Sequence, residues 1–250
     1  MKTKRVVIKI GSSIILKNNS VDLKPLENII KQIASLKKKG LEIILVSSGA
    51  IVLGRKKISF QKKWPQNLAG KQALAALGQP ELMNAYKKYF EKYKIPIAQV
   101  LLIKDDLVSK ERYLNVKNTL FTLLKQGIIP IINENDTTAT EEIKFGDNDL
   151  LGALIAKKIK TNLLILLSNV DGLYDQKGEI IKTVKKITPA LKKLIFPSKE
   201  ELTRGGMASK IKAAKITTQV GIPCLVANGK RKNILLEIFN HKKIGTLFIP

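Results

Sequence analysis

Apolar residues come in short bounded runs: RVVIKI (5–10), EIILVS (42–47), IPIAQVLLI (95–103), GIIPII (127–132), LLILL (163–167), IPCLVA (222–227) and TLFI (246–249). Each is too short for a helix and rich in Ile, Val and Leu, the pattern of strands buried on both faces of a parallel sheet. Between them the spacing changes. Leu26, Ile29, Ile30, Ile33, Ala34 and Leu36 recur at helical intervals, with Pro25 near the start and Gly40 at the end, and predict a helix over 26–39. Similar spacing predicts helices over Leu68–Leu77 and Glu81–Tyr93, separated by Gly78-Gln79-Pro80, then Glu111–Lys125, LLGALIAKKI (150–159), a helix after Gly205-Gly206, and Asn233–Asn240. Gly178–Val184 reads as a short hairpin. Strand, turn and helix repeated in succession define a doubly wound α/β fold.

Polar residues gather where the strands stop. After GIIPII come Asn133, Glu134, Asn135 and Asp136, and before the next helix stand Asp147, Asn148 and Asp149. In open parallel sheets the C-terminal strand edge is where ligands bind, because loops there carry function while strands hold them still. Asp147 or Asn148 can also cap the helix at 150–159 by accepting an orphan N–H of its first turn. Lys9 lies near the end of the first strand, and Gly11-Ser12-Ser13 follows as a tight turn whose N–H groups can cradle phosphate. The GxxxxGK[ST] spacing is absent, so this is no Walker loop. Ser47-Ser48-Gly49 repeats the device after the second strand. Gly205-Gly206 before a helix, with Lys210 in its first turns, reads as an anion site or as a hinge with a surface lysine. Ser168–Gly172 could flank a purine or ribose, or be a simple turn. The polar loop Lys56–Gln66, with Trp64 and Pro65, reads as a flap over the site, and Tyr86, Tyr89, Phe90 and Tyr93, at helical spacing, as core or subunit contact.

Composition narrows the classes. The 250 residues fit one large α/β domain or two small ones. Forty-five Lys and Arg against 20 Asp and Glu give a net charge of +25, a field that attracts phosphates, nucleotides, nucleic acid or anionic membranes. The lysines are scattered through helices and aromatics make up only 5%, which argues against a stacking platform for single strands. Cys224, the single cysteine, has no partner for an intrachain disulfide or a zinc site. No apolar run reaches the ~20 residues of a membrane span, and the basic N-terminus is too short and polar for a signal peptide, so a cytoplasmic location is expected. His241, the single histidine, lies outside every cluster.

KIGSS, VSSGAI, INEND, FGDND and GGMASK, in this order over essentially the whole chain, resemble the amino-acid kinase family, in the branch that phosphorylates glutamate. The resemblance implies a three-layer α/β/α sandwich with a mainly parallel central sheet, in one kinase domain over 1–250. Its N-terminal half, to about 155, would hold glutamate and its C-terminal half ATP. It implies ATP-dependent phosphorylation of the γ-carboxylate of L-glutamate to glutamyl 5-phosphate, the first step of proline biosynthesis, with Mg²⁺ on the nucleotide. By position it places Lys9, Asp149 and Lys210 as catalytic and Ser48, Gly49, Asn133, Asp136 and Asn148 at glutamate. ATP falls to Lys9, Gly11, Ser12, Ser168, Asn169, Arg204, Gly205, Gly206, Met207 and Lys210. No protein metal site is expected. Feedback by L-proline, a glutamyl phosphate reductase as functional partner and a homo-oligomer are likewise implied. Three departures stand out: no C-terminal domain of the PUA type is expected, Asn169 stands where aspartate is usual, and Thr203-Arg204 replace the usual Gly-Thr. The alternatives are a sister kinase acting on acetylglutamate, aspartate or UMP, a non-catalytic amino-acid sensor, and a nucleic-acid-binding protein.

Overall fold

The computed structural model describes residues 4–17, 20–58, 63–139, 147–188, 191 and 206–250. The first strand, β1 (Arg5–Ile10), runs into a 3₁₀ turn at Ser12–Ile15 and a small ribbon of β2 (Leu16–Lys17) and β3 (Ser20–Val21). Next come α1 (Lys24–Lys38), β4 (Glu42–Ser47), α2 (Ala50–Lys57), α3 (Leu68–Glu91) and β5 (Ile97–Leu102). They are followed by α4 (Lys104–Val108), α5 (Lys110–Lys125), β6 (Ile129–Glu134), α6 (Asn148–Lys158) and β7 (Leu163–Ser168). The remainder comprises β8 (Leu173–Tyr174), β9 (Ile180–Ile181), β10 (Thr183–Val184), α7 (Met207–Thr218), β11 (Cys224–Asn228), α8 (Ile234–Phe239) and β12 (Thr246–Phe248).

Among the described residues the main sheet has eight strands in the order β10-β12-β11-β7-β1-β4-β6-β5. Its pairs are parallel except β11 with β12. Side chains alternate between faces along a strand, so β1 feeds two cores. Val6, Ile8 and Ile10 pack with α1, α3 and α8 on one face, and Val7 packs with α6 and α7 on the other. Helices on both faces make the three-layer sandwich. The period-2 rule already places the site: Lys9 shares the face of Val7, so its ammonium must meet α6 and α7. Gly152 of α6 faces it, and a Cβ there would lie in ordinary contact, 3.7 Å from the Lys9 Cβ.

Four local expectations change. The helices predicted over 68–77 and 81–93 are one continuous α3, with Pro80 inside it. Gly78 is no break but a notch: a Cβ there would stand 1.8 Å from the Ala50 carbonyl oxygen and 2.4 Å from the Gly54 nitrogen, so α2 and α3 pack backbone to backbone. Strand β6 runs on through Asn133 and Glu134, both buried, so the polar cluster begins inside the strand. β5 is the sheet edge and only partly buried, because it has a neighbour on one side only. In the predicted hairpin, β9 pairs antiparallel with β8, while β10 joins the main sheet beside β12. Tyr86, Tyr89 and Phe90 are buried in the core beneath α1. Of the expected flap, residues 59–62 lie outside the described residues; Trp64 is tied down by a 3.0 Å bond from its Nε1 to the Gly70 carbonyl.

Candidate active site

Parallel pairing of β7, β1 and β4 brings three C-terminal strand ends together, with Ile10 opposite both Leu167 and Ser47. Above them opens a cleft of about 330 Å³, lined by Lys9, Gly11, Ser12, Ser13, Ser48, Glu134, Asp136, Asp147, Asn148, Ser168, Asn169 and Lys210. Gly11 donates its N–H to the Leu167 carbonyl at 3.0 Å, and a Cβ on it would lie 3.2 Å from that oxygen. The turn is therefore pressed against β7.

Asp149 is the hub. It stands in the first turn of α6, where unsatisfied N–H groups and the helix dipole favour a carboxylate. Its Oδ1 lies 2.6 Å from Lys9 Nζ and its Oδ2 3.0 Å from Lys210 Nζ, so one carboxylate is shared between two ammonium groups. Asp149 is 0% exposed, Lys9 4% and Lys210 3%. Burial pushes the Asp149 carboxyl up, but the charges of Lys9 and Lys210 outweigh it and hold the group below the usual aspartate range. Burial likewise pulls Lys9 down, and Asp149 and Asp147 more than restore it, leaving the ammonium held more firmly than in water. Both groups are therefore ionised at neutral pH. Asp147 Oδ1 contributes at 3.6 Å from Lys9 and also caps α6 by accepting the Asp149 N–H at 3.0 Å, so the cap falls to Asp147 rather than Asn148. Ser209, one residue before Lys210, lies with its hydroxyl 2.9 Å from Asp149 Oδ2. That contact was not anticipated, because a serine inside a helix carries no sequence signal of its own.

The second half of the cleft is an amide network. Asn148 Nδ2 lies 2.8 Å from Ser48 Oγ, 2.8 Å from Asn133 Oδ1 and 3.0 Å from the Ser47 carbonyl. Asn133 in turn donates to Gln79 Oε1 at 2.9 Å. Beneath, the buried Tyr86 hydroxyl bonds Ser47 Oγ at 2.7 Å, and burial raises its pKa further from its ordinary value. Glu134 and Gln79 join the site without having been singled out for a role, and Asp147 and Ser13 join it beyond their expected places as a helix cap and a turn residue. Glu134 and Asp147 stand in the clusters already noted, whereas Gln79 was hidden in the supposed helix break. Gly49, Asn133, Gly206 and Met207 do not line the cleft. Gly49 supplies the turn into α2 with φ 124°, a conformation side-chain-bearing residues rarely adopt, and Gly206 is the N-cap of α7. Arg204 and Gly205, expected at the nucleotide, lie outside the described residues.

A family model for the amino acid kinase family matches residues 4–228. The chain belongs to the amino acid kinase family. Its curated relatives within the family include a glutamate 5-kinase of Clostridium acetobutylicum, 45% identical over 98% of this chain and 94% of that one. A glutamate 5-kinase of Thermoanaerobacter sp. is 44% identical over 98% of this chain and 68% of that one. Among solved structures, the carbamate kinase from Giardia lamblia bound to AMP-PNP superposes with a TM-score of 0.69 at 16% identity, over 99% of this chain and 98% of that one. That likeness shows the shared amino acid kinase fold.

Proposed function

We propose that this amino acid kinase transfers the γ-phosphoryl group of ATP to the γ-carboxylate of L-glutamate, giving L-glutamyl 5-phosphate and ADP, the first step of proline biosynthesis. The observation that carries it is the pair of buried lysines held by one carboxylate at the wall of the cleft. A carboxylate oxygen of glutamate attacks the γ-phosphorus, the bond to the β,γ-bridging oxygen breaks, and the electron pair leaves with ADP. No general base is needed, since the nucleophile is already ionised at neutral pH. What the site must supply is alignment and neutralisation, because acceptor and nucleotide are both anionic. Lys9, from the strand, and Lys210, from the helix, supply positive charge from two sides, and Asp149 fixes where both ammonium groups point.

Ser48, Asp136 and Asn148, with Asn133 behind them, take glutamate; Gly11, Ser12, Ser168 and Asn169, with Arg204–Met207, take the nucleotide. A Mg²⁺ ion brought in with the nucleotide would supply positive charge against the phosphates, with oxygen ligands completing its shell. Asp147 Oδ2, buried with no hydrogen-bond donor on it, is a hard oxygen of the kind that suits such a cation shell. One kinase domain with a glutamate half and an ATP half, a homo-oligomer, a cytoplasmic setting, feedback by L-proline and a reductase that consumes the acyl phosphate complete the reading, and rest on family resemblance. Among the described residues, no helix is long and apolar enough to cross a membrane.

The test is ADP release with Mg·ATP and L-glutamate, with hydroxylamine present to trap acyl phosphate. Glutamate-dependent hydroxamate is expected from the wild type. Lys210→Ala should lower kcat by ~10²-fold or more, on the scale of losing one transition-state charge contact. Turnover with acetylglutamate, aspartate or UMP instead of glutamate would overturn the substrate; no turnover with any of them would overturn the kinase reading.

A further inference from the structure

The two ends of an amide side chain are alike in shape but opposite in hydrogen bonding. Here the backbone decides which end is which. The Glu134 N–H can only donate, and it lies 2.9 Å from one end of Asn133, so that end is the oxygen. The other end is therefore NH₂, and it faces Gln79, whose side-chain oxygen accepts at 2.9 Å. Asn148 is fixed in the same way. One end lies 3.0 Å from the Ser47 carbonyl and 2.8 Å from the Asn133 oxygen, both acceptors, so that end is NH₂. The Asn148 oxygen is left turned out of the network, buried and with no donor on it. A buried acceptor without a donor is costly, and a ligand that supplies one recovers the loss.

Gln79 reaches this network because α3 does not break. Gly78 seats the helix against Ala50 and Gly54, and Gln79 follows directly. Two turns earlier on the same helix face, Gln72 donates to the Ala139 carbonyl at 3.2 Å. Helix α3 thus holds residues 133–139, the end of β6 and the turn after it, by two amides, one at each end.

We infer that Gln79 is a positioning residue which, by accepting from Asn133, locks the amide chain so that Asn148 offers an oxygen to the α-ammonium of the substrate, and so sets the preference for a free amino acid over an acid lacking that amine. This rests on the glutamate reading above. Gln79 touches neither reacting atom; it acts through Asn133 and Asn148. Without its oxygen, the Asn133 NH₂ loses its partner, and Asn133, on which Asn148 leans, is held in place by the Glu134 N–H alone.

The experiment compares wild type with Gln79→Met, which keeps the length and removes the acceptor, and Gln79→Glu, which keeps an acceptor. Steady-state constants for glutamate and ATP are measured together with competitive inhibition by glutarate, which lacks the amine. In Gln79→Met the KM for glutamate should rise about 5- to 20-fold, while the ATP KM and the glutarate inhibition constant move less than about 2-fold. Gln79→Glu should stay within about 3-fold of wild type in all three. Equal weakening of glutamate, glutarate and ATP in Gln79→Met would mean a general structural role and overturn the inference, as would an unchanged glutamate KM. Should Gln79→Met not fold by thermal melting, Gln79→Leu serves as the second acceptor-free variant under the same criteria. Failure of the glutamate reading itself is distinguishable, because it shows in the wild type as an absence of glutamate-dependent turnover.

Discussion

Asp149 shows how one side chain can set both the charge state and the geometry of a site. Its two oxygens are divided between Lys9 and Lys210, so replacing it by Asn leaves two buried ammonium groups with no shared counter-charge. Breaking a buried pair by removing one partner costs ~3–5 kcal/mol. Asp149→Asn is therefore expected to lower the unfolding free energy at pH 7 by about that much in urea titration, and to abolish hydroxamate formation. The pH dependence follows from the direction of the shifts. Asp149 is depressed on folding, so its contribution is present above the ordinary aspartate value of 3.8 and is lost as pH falls through the lower folded value. Lys9 is raised, so its contribution is present below 10.5 and is lost only as pH rises through the higher folded value. The stability gap between wild type and Asp149→Asn should hold from about pH 5 to 10 and close below pH ~4. A gap that persists undiminished in acid would refute the assignment. Ser209→Ala, which removes a single hydroxyl from Asp149, should cost only ~0.5–1.5 kcal/mol. In the sequence, strand ends, a capped helix and a glycine pair mark the stretches that hold Lys9, Asp149 and Lys210, and the family resemblance singles out the three residues within them. Ser209 could not be picked out, because nothing local separates a serine that faces a carboxylate from one that faces water.

At the scale of elements, the contact of α2 with α3 carries the most consequence. Gly54 and Gly78 meet across it with no room for a side chain, which brings α3 close to the Ser48-Gly49 turn that starts α2. Gly78→Ala should force the backbones apart; overpacking of this kind costs ~1–3 kcal/mol, and glutamate KM should rise because Gln79 and Ser48 move with their helices. A variant with lower stability but unchanged glutamate KM would show that the contact supports the fold and not the site. Sequence pattern misread this region for a physical reason. Gly-Gln-Pro is ordinarily a helix breaker, since glycine adds backbone freedom and proline removes an N–H. Here tertiary packing on both sides outweighs that local cost, and Pro80 is carried inside the helix on its exposed side. Strand β6 went the same way. Periodicity marked GIIPII as the strand, yet pairing with β5 carries it on to Asn133 and Glu134, which pair with Leu101 and Leu102.

For the whole molecule, the conspicuous quantity is the +25 net charge. A charge of this size repels itself in the compact state. Raising ionic strength from ~0.01 to ~0.15 M shortens the Debye length from ~30 to ~8 Å, so the thermal midpoint should rise over that range in differential scanning fluorimetry. A midpoint that falls would mean that the surface ion pairs, such as Arg231 and Lys242 with Glu237, outweigh the repulsion.

The order of strands and helices, the doubly wound class and the chemical character of both polar clusters were determined by the sequence alone, because periodicity, caps and turn residues act over a few positions. Alternation along RVVIKI even fixed that Lys9 shares a face with Val7. What only the tertiary structure decided is which distant groups meet. Lys210 and Asp149 are 61 positions apart, and Asn133 and Gln79 are 54. Such pairings depend on how the sheet orders its strands and how closely helices pack on it, and no local spacing encodes either. The amide chain led by Gln79 therefore became visible only once the elements stood together.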